Sequence, residues 1–360
     1  MTNRNTLNYD VIGLMSGTSL DGTDIAFCRF ILDEKKWSFE IVQAETIPYS
    51  FHWKTKLLSL EKTDALTFQQ ANIDYGFYLG RTAADFIKKH KLKVDFISSH
   101  GHTIFHQPEK KLTVQIGAGS AIAAESNLTA VCDFRSLDVV LGGQGAPLVP
   151  IGDKLLFSEF DFCLNLGGFA NVSYQYNDER TAFDICPVNI VMNAVCAKLG
   201  KEYDNEGQMA RGGNVNDNLL LELNNLPFYK LPPDSPKSLG KEWVIKNINP
   251  LLDKCKLSEQ DVLRTFCEHT AVQIGNALNN KPSGKLLVTG GGTYNTFLLE
   301  KIKENTAHQI IIPDKKTIEF KEALIFAFLG VLRMRNEVNC LKSVTGAAYD
   351  NIGGAVYLTR

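Results

Sequence analysis

The chain lacks most of the features that would place it outside a reducing, aqueous compartment. No stretch of its 360 residues is long and apolar enough to cross a bilayer. The first residues do not combine a basic start, an apolar core and a small-residue cleavage site. No C-x-x-C pair occurs among the eight cysteines. Cys132, Cys163, Cys186 and Cys196 lie in or beside apolar runs, so they read as small buried residues rather than disulfides or zinc ligands. There is no surplus of either charge: 38 Lys and Arg against 40 Asp and Glu give a net charge of −2, which argues against a nucleic acid or acidic membrane held by bulk charge. No low-complexity tract interrupts the chain. A cytoplasmic location is expected.

What is present starts with a turn between two apolar runs, Val11 to Met15 and Ile25 to Phe30, that read as β-strands. The turn comprises Gly17, Thr18, Ser19, Leu20, Asp21, Gly22, Thr23 and Asp24, preceded by Ser16. Glycine lets backbone approach a ligand, and successive N–H groups with hydroxyls form an anion cradle. Asp21 and Asp24 add carboxylates that could hold a divalent cation or its water shell beside that anion. These are the parts needed for a nucleotide triphosphate and its metal, with Asp21 the expected metal ligand. No Gly-Lys-Ser/Thr follows, which excludes a Walker loop, and a strand rather than a helix comes next, which excludes a dinucleotide fingerprint. A hairpin without any ligand would use the same residue types.

The arrangement recurs. Phe160 to Tyr176 is again strand, Gly167–Gly168 turn, strand. Leu286 to Thr289 then runs into Gly290, Gly291 and Gly292 and on into a helix, a way to lay backbone against a purine or ribose. Two strand–turn–strand clamps followed by a later glycine turn is the order of the sugar-kinase and actin superfamily. Helical patterns are expected over Tyr75 to Lys89, Gln115 to Ser126, Pro187 to Leu199, from about Ser258 with a Ser258–Asp261 capping box, and over Lys321 to Arg335. Pro227 to Gly240 is too rich in proline for a regular element. The fold expected is α/β, with two actin-like (RNase H-like) domains, each a mixed sheet flanked by helices, and a deep cleft between them; residues 1–150 form one domain and 151–360 the other.

The best candidate base is Asp184, at the end of the strand that follows the second clamp, although an aspartate there could equally cap the next helix. His100, His102 and His106 cluster in sequence without a Cys or Glu-x-x-His to complete a metal set, so contact with a polar ligand or backbone is expected instead. Asp133, Arg135, Asp138 and Gln144 share a Gly- and Pro-rich loop, where Arg135 either joins an ion-pair network or meets an anionic substrate group. Lys237 and Ser238 could also meet an anion.

MSGTSLDGTD, SHGHTIFHQP, DFRSLDVVLGGQGAPLVP, LNLGGFANVS, FDICPVN, PKSLGKEW, TGGGTYNTFL, KEALIFAFLG and SVTGAAYDNIGGA occur in this order, from Val11 to about Leu358. In these strings the chain resembles the anhydro-N-acetylmuramic acid kinase family. The resemblance implies a kinase using ATP and Mg²⁺ that opens a 1,6-anhydro sugar with water while phosphorylating its 6-oxygen. Its partners would be that sugar and ATP, with neither nucleic acid nor membrane; a homodimer is left open. By the same resemblance Gly17 to Asp24 and Gly167–Gly168 bind phosphates, and Gly290 to Gly292 approach the nucleoside. Asp184 and Glu322 are catalytic, while His100, Thr103, Arg135 and Asn189 contact the sugar. Three departures stand out. Ile185, Cys186, Pro187 and Val188 replace a Thr-Gly-Pro-Gly run after the aspartate and are expected to add bulk beside the sugar. Ala118 stands where an acidic residue is common, and His102 where glutamine is. Two other readings carry different expectations: a kinase of an ordinary hexose or another anhydro sugar, and a nucleotide-binding regulator without turnover.

Overall fold

The first apolar runs become long antiparallel strands because their side chains are buried on both faces, so the pattern is nearly continuous rather than alternating. The structure is a computed structural model and describes residues 6–17, 20–232 and 237–359. The chain divides into two compact units: residues 1–156 with 320–360, and residues 157–319.

In the first unit β1 (Leu7–Met15), β2 (Gly22–Asp33) and β3 (Lys36–Pro48) form an antiparallel meander. Next come β4 (Phe96–Ser99), the hairpin of β5 (His102–Gln107) and β6 (Leu112–Ile116), and β7 (Ala130–Cys132). β4 adds parallel to β1, and β7 parallel to β4. One face is covered by the helix Ala65–His90, which buries Ala71, Tyr75, Leu79, Ala83 and Phe86 along one stripe. Asp64 caps it by accepting from the amides of Leu66 and Thr67. It begins ten residues before the expected Tyr75, because the cap rather than the first apolar stripe sets its start. Against β1 packs the helix Lys315–Met334: a Cβ on Gly13 would collide with the Ala323 carbonyl oxygen, so only glycine allows this approach.

The second unit repeats the plan. β8 (Phe162–Leu166), β9 (Phe169–Tyr176) and β10 (Glu179–Pro187) form a meander, β11 (Lys285–Thr289) adds parallel to β8, and β12 (Gln309–Ile311) parallel to β11. Both sheets therefore share one strand order, third-second-first-fourth-fifth, with the same directions. This is the duplicated RNase H-like α/β plan expected from the repeated clamp. The helix Glu259–Leu278 lies in this unit's core, and Ser258 accepts from the Asp261 amide as the capping pattern requires.

Four expectations need correction. The change of unit falls a few residues after 150, and the C-terminal segment belongs with the first unit rather than the second. The reason is tertiary: β13 (Ala355–Tyr357) completes the first sheet beside β7, and the helix Lys315–Met334 belongs to the first unit from Phe320 onward, where φ −117° and ψ 15° interrupt it. Pro187 ends β10 instead of opening a helix. The helix starts at Asn189 because the carbonyls of Gly167 and Gly168 receive the amides of Val188, Asn189 and Ile190. The expected pattern from Gln115 is strand to Ile116, with the helix only over Gly119–Ser126.

Candidate active site

In the first unit, β1 and β2 hold the shoulders of the first turn; Thr18 and Ser19 lie outside the described residues. Asp21 is exposed and accepts from the Gly22 amide at 3.0 Å, leaving its carboxylate at the surface of the turn. Leu20 takes a left-handed φ of 58°. Thr23, expected to line the turn, is fully buried and gives its hydroxyl to Tyr49 at 3.1 Å. Asp24 sits within β2 and accepts from Thr46 on β3. The turn is thus braced from behind: Ser16 bonds both Tyr49 and, at 2.8 Å, His102 Nδ1, and Tyr49 bonds Tyr75. Burial pushes His102 down to about 4, so it stays neutral.

Gly101, at φ +73°, turns the chain between His100 and His102. His100 sits on Phe326, with ring centroids 4.6 Å apart, and accepts from Arg135 Nε at 3.0 Å. Its Nδ1 faces the Gly101 carbonyl at 2.9 Å. Arg135 donates a second bond to the Gly145 carbonyl at 2.7 Å, and the Gly145 amide is held by buried Asp138 at 2.8 Å. The Arg135 guanidinium is therefore fixed by two neutral acceptors rather than by a carboxylate ion pair. Desolvation lowers Arg135 to about 10 and raises Glu322; each charge partly offsets the shift of the other. Glu322 lies one helical turn before Phe326 and remains open to solvent, although protein surrounds it closely enough to raise its pKa. His100, Arg135 and Glu322 are thus brought into one neighbourhood. Thr103 is half-buried in the β5–β6 hairpin and accepts from Gln115 at 3.3 Å. His106 is exposed, and no group of three or more His, Cys, Asp or Glu able to hold a metal occurs among the described residues.

In the second unit Asp184 stands at a bulge in β10. Its Oδ2 accepts from the Leu239 amide at 2.8 Å and the Ser238 hydroxyl at 3.2 Å. Burial raises its pKa, and those two donors oppose the rise. Cys186 and Val188 are both 0 % exposed within the core, so the departure after Asp184 adds packing inside the unit and not the bulk beside the sugar expected from sequence.

Gly290 has φ +86°, and a Cβ there would meet Asn165 Oδ1 at 2.5 Å and the Leu166 carbonyl at 2.8 Å. The triple-glycine turn therefore presses against the end of β8, just before Gly167. Beside it opens a cavity of about 520 Å³, into whose lining Gly291 and Asn189 both enter. Asn189 is held by donating to the Leu166 carbonyl at 3.3 Å. Tyr203, Glu206, Tyr294 and Asn295 also line the cavity, and sequence reading missed them. The polar stretch Tyr203–Glu206 contributes to the lining, and Glu206 and Gly207 beside it both take a left-handed φ. The cavity has the size and mixed lining of a small-molecule site.

The sequence profile of the family described as anhydro-N-acetylmuramic acid kinase matches residues 9–359. The chain belongs to the anhydro-N-acetylmuramic acid kinase family. Curated family members are similar over nearly their whole length. That of Sulfurimonas denitrificans is 32% identical, covering 96% of this chain and 98% of its own. Those of Coxiella burnetii are 35% identical, covering 96% of each chain. Solved structures match more loosely: a ROK family glucokinase from Streptomyces griseus in complex with glucose and AMPPNP aligns with 89% of this chain and 98% of its own at 13% identity, TM-score 0.39, too distant to bear on function.

Proposed function

We propose that the chain uses ATP to convert 1,6-anhydro-N-acetylmuramic acid and water into N-acetylmuramic acid 6-phosphate and ADP, in cytoplasmic recycling of cell-wall peptidoglycan. Full-length membership of the family supports the reaction, and the observation that carries its chemistry is Asp184, a half-buried carboxylate fixed on a strand end with raised basicity. An anhydro sugar has no free 6-hydroxyl to deprotonate. Asp184 takes a proton from water as the water oxygen bonds the anomeric carbon. The bond from that carbon to the 6-oxygen breaks, and the freed oxygen accepts the γ-phosphoryl group.

The glycine turns at Gly17–Gly22 and Gly167–Gly168 hold the phosphates through backbone amides, and the cavity beside Gly291 takes the nucleoside. Arg135, with a rigidly held guanidinium, meets the lactyl carboxylate; His100, Thr103, Asn189 and Glu322 serve the sugar. Mg²⁺ keeps most of its waters and needs only one or two carboxylates besides the phosphates, a demand that exposed Asp21 fits without a closed protein cage. Bound there, it would neutralise charge on the transferring phosphoryl group.

Turnover of ATP measured with and without the anhydro sugar tests the reading. ADP should form with the sugar and hardly at all without it. Equal ADP release in both would sink the assignment.

A further inference from the structure

The segment Lys237–Leu239 is bound to Asp184 at three points. The Asp184 amide donates to the Lys237 carbonyl at 3.0 Å, which fixes the main chain. The Leu239 amide and Ser238 hydroxyl both donate to Oδ2, which fixes the carboxylate. Behind this segment stands a wall of rings. The Lys237 ammonium lies 5.3 Å over Phe183 and 5.2 Å over Phe228. Phe228 packs on Trp243 and on Tyr229, whose hydroxyl meets buried His269 Nε2 at 3.1 Å. Lys237 and Ser238 were read as residues that could meet an anion, and in the structure the Ser238 hydroxyl donates to the carboxylate of Asp184.

We propose that Ser238 is a positioning residue for Asp184: with the Leu239 amide it occupies Oδ2 and leaves Oδ1, which accepts no hydrogen bond among the described residues, to receive the proton of the attacking water. The inference rests on the reading of Asp184 as the base. A carboxylate held by one oxygen cannot rotate freely, so the proton acceptor keeps one direction through the reaction. The same two donors favour the ionised form and so oppose burial, which favours the protonated one. The ring wall gives the short segment the rigidity this requires, since a loose loop would let the hydroxyl drift from a 3.2 Å contact.

The test uses the full chain carrying Ser238→Ala or Ser238→Thr, with kcat/KM for the anhydro sugar followed against pH at saturating ATP. Ser238→Ala should lower kcat/KM about tenfold, the scale of one hydrogen bond to a charged group. Its acidic limb should move to higher pH, while KM for ATP and the thermal midpoint stay near the parent values. Ser238→Thr, which keeps the hydroxyl, should restore both rate and limb. A rate loss with an unmoved limb, or an alanine variant indistinguishable from the parent, overturns the inference. Full turnover in Asp184→Asn would instead overturn the base assignment, whatever Ser238 does.

Discussion

Arg135 Nε donates to His100 Nε2 at 3.0 Å, so the histidine must stay neutral and carry its proton on Nδ1, toward the Gly101 carbonyl. This pair fixes the orientation of a guanidinium whose other bond, to Gly145, depends in turn on Asp138. The motif D-F-R-x-x-D thus encodes a chain of support, with the aspartate two bonds away from the arginine.

Replacing Arg135 with lysine keeps the charge and loses this geometry, because an ammonium cannot reproduce the planar fork. Arg135→Lys should raise KM for the anhydro sugar by roughly one to two orders of magnitude and leave KM for ATP nearly unchanged. Steady-state kinetics with each substrate varied in turn checks this. A change confined to ATP would place Arg135 elsewhere in the reaction.

Three buried histidines make the fold sensitive to acid. Burial holds His100 well below the usual histidine value, His102 at about 4 and His269 at about 3. In the unfolded chain each takes up a proton near pH 6.5. The unfolded state therefore binds more protons below that pH, so stability is complete above about 6.5 and declines as pH falls toward the folded values. Thermal midpoints should drop steadily between about pH 6.5 and 4, and His102→Gln should flatten part of the slope. A midpoint that rises over the same interval would contradict this.

Asp184→Asn preserves shape and the bonds from Ser238 and Leu239 while removing basicity. Turnover should fall by about two to four orders of magnitude, with much smaller changes in substrate binding. Near-normal turnover would move the base to another carboxylate, with Glu322 the next to test.

Gly290→Ala places a Cβ at a left-handed φ and against Asn165 and Leu166. Destabilisation of about 2 kcal/mol is expected by chemical denaturation, together with weaker ATP binding by calorimetry. Unchanged stability would show that the turn relaxes freely.

Local signals survived folding best. Ser258 caps its helix because a cap involves only the next three residues, and the Gly167–Gly168 turn was legible because two apolar runs flank it. Signals that depend on distant chain were invisible. The grip on Asp184 comes from residues 54 and 55 positions away, and nothing near Asp184 announces it. Cys186 was expected beside the sugar because it follows Asp184 so closely, yet the bulge in β10 turns it into the core. The return of the C-terminal segment to the first sheet is a pairing of β13 with β7 that no local pattern specifies.

The central claim is that water opens the sugar in the same reaction that phosphorylates it, and isotope tracing tests it most directly. With ATP and the anhydro sugar in ¹⁸O-labelled water, the label should appear at the anomeric hydroxyl of a 6-phosphorylated product, with inversion at that carbon and none in the transferred phosphate. Label found only in released inorganic phosphate would mean plain ATP hydrolysis and would contradict the account.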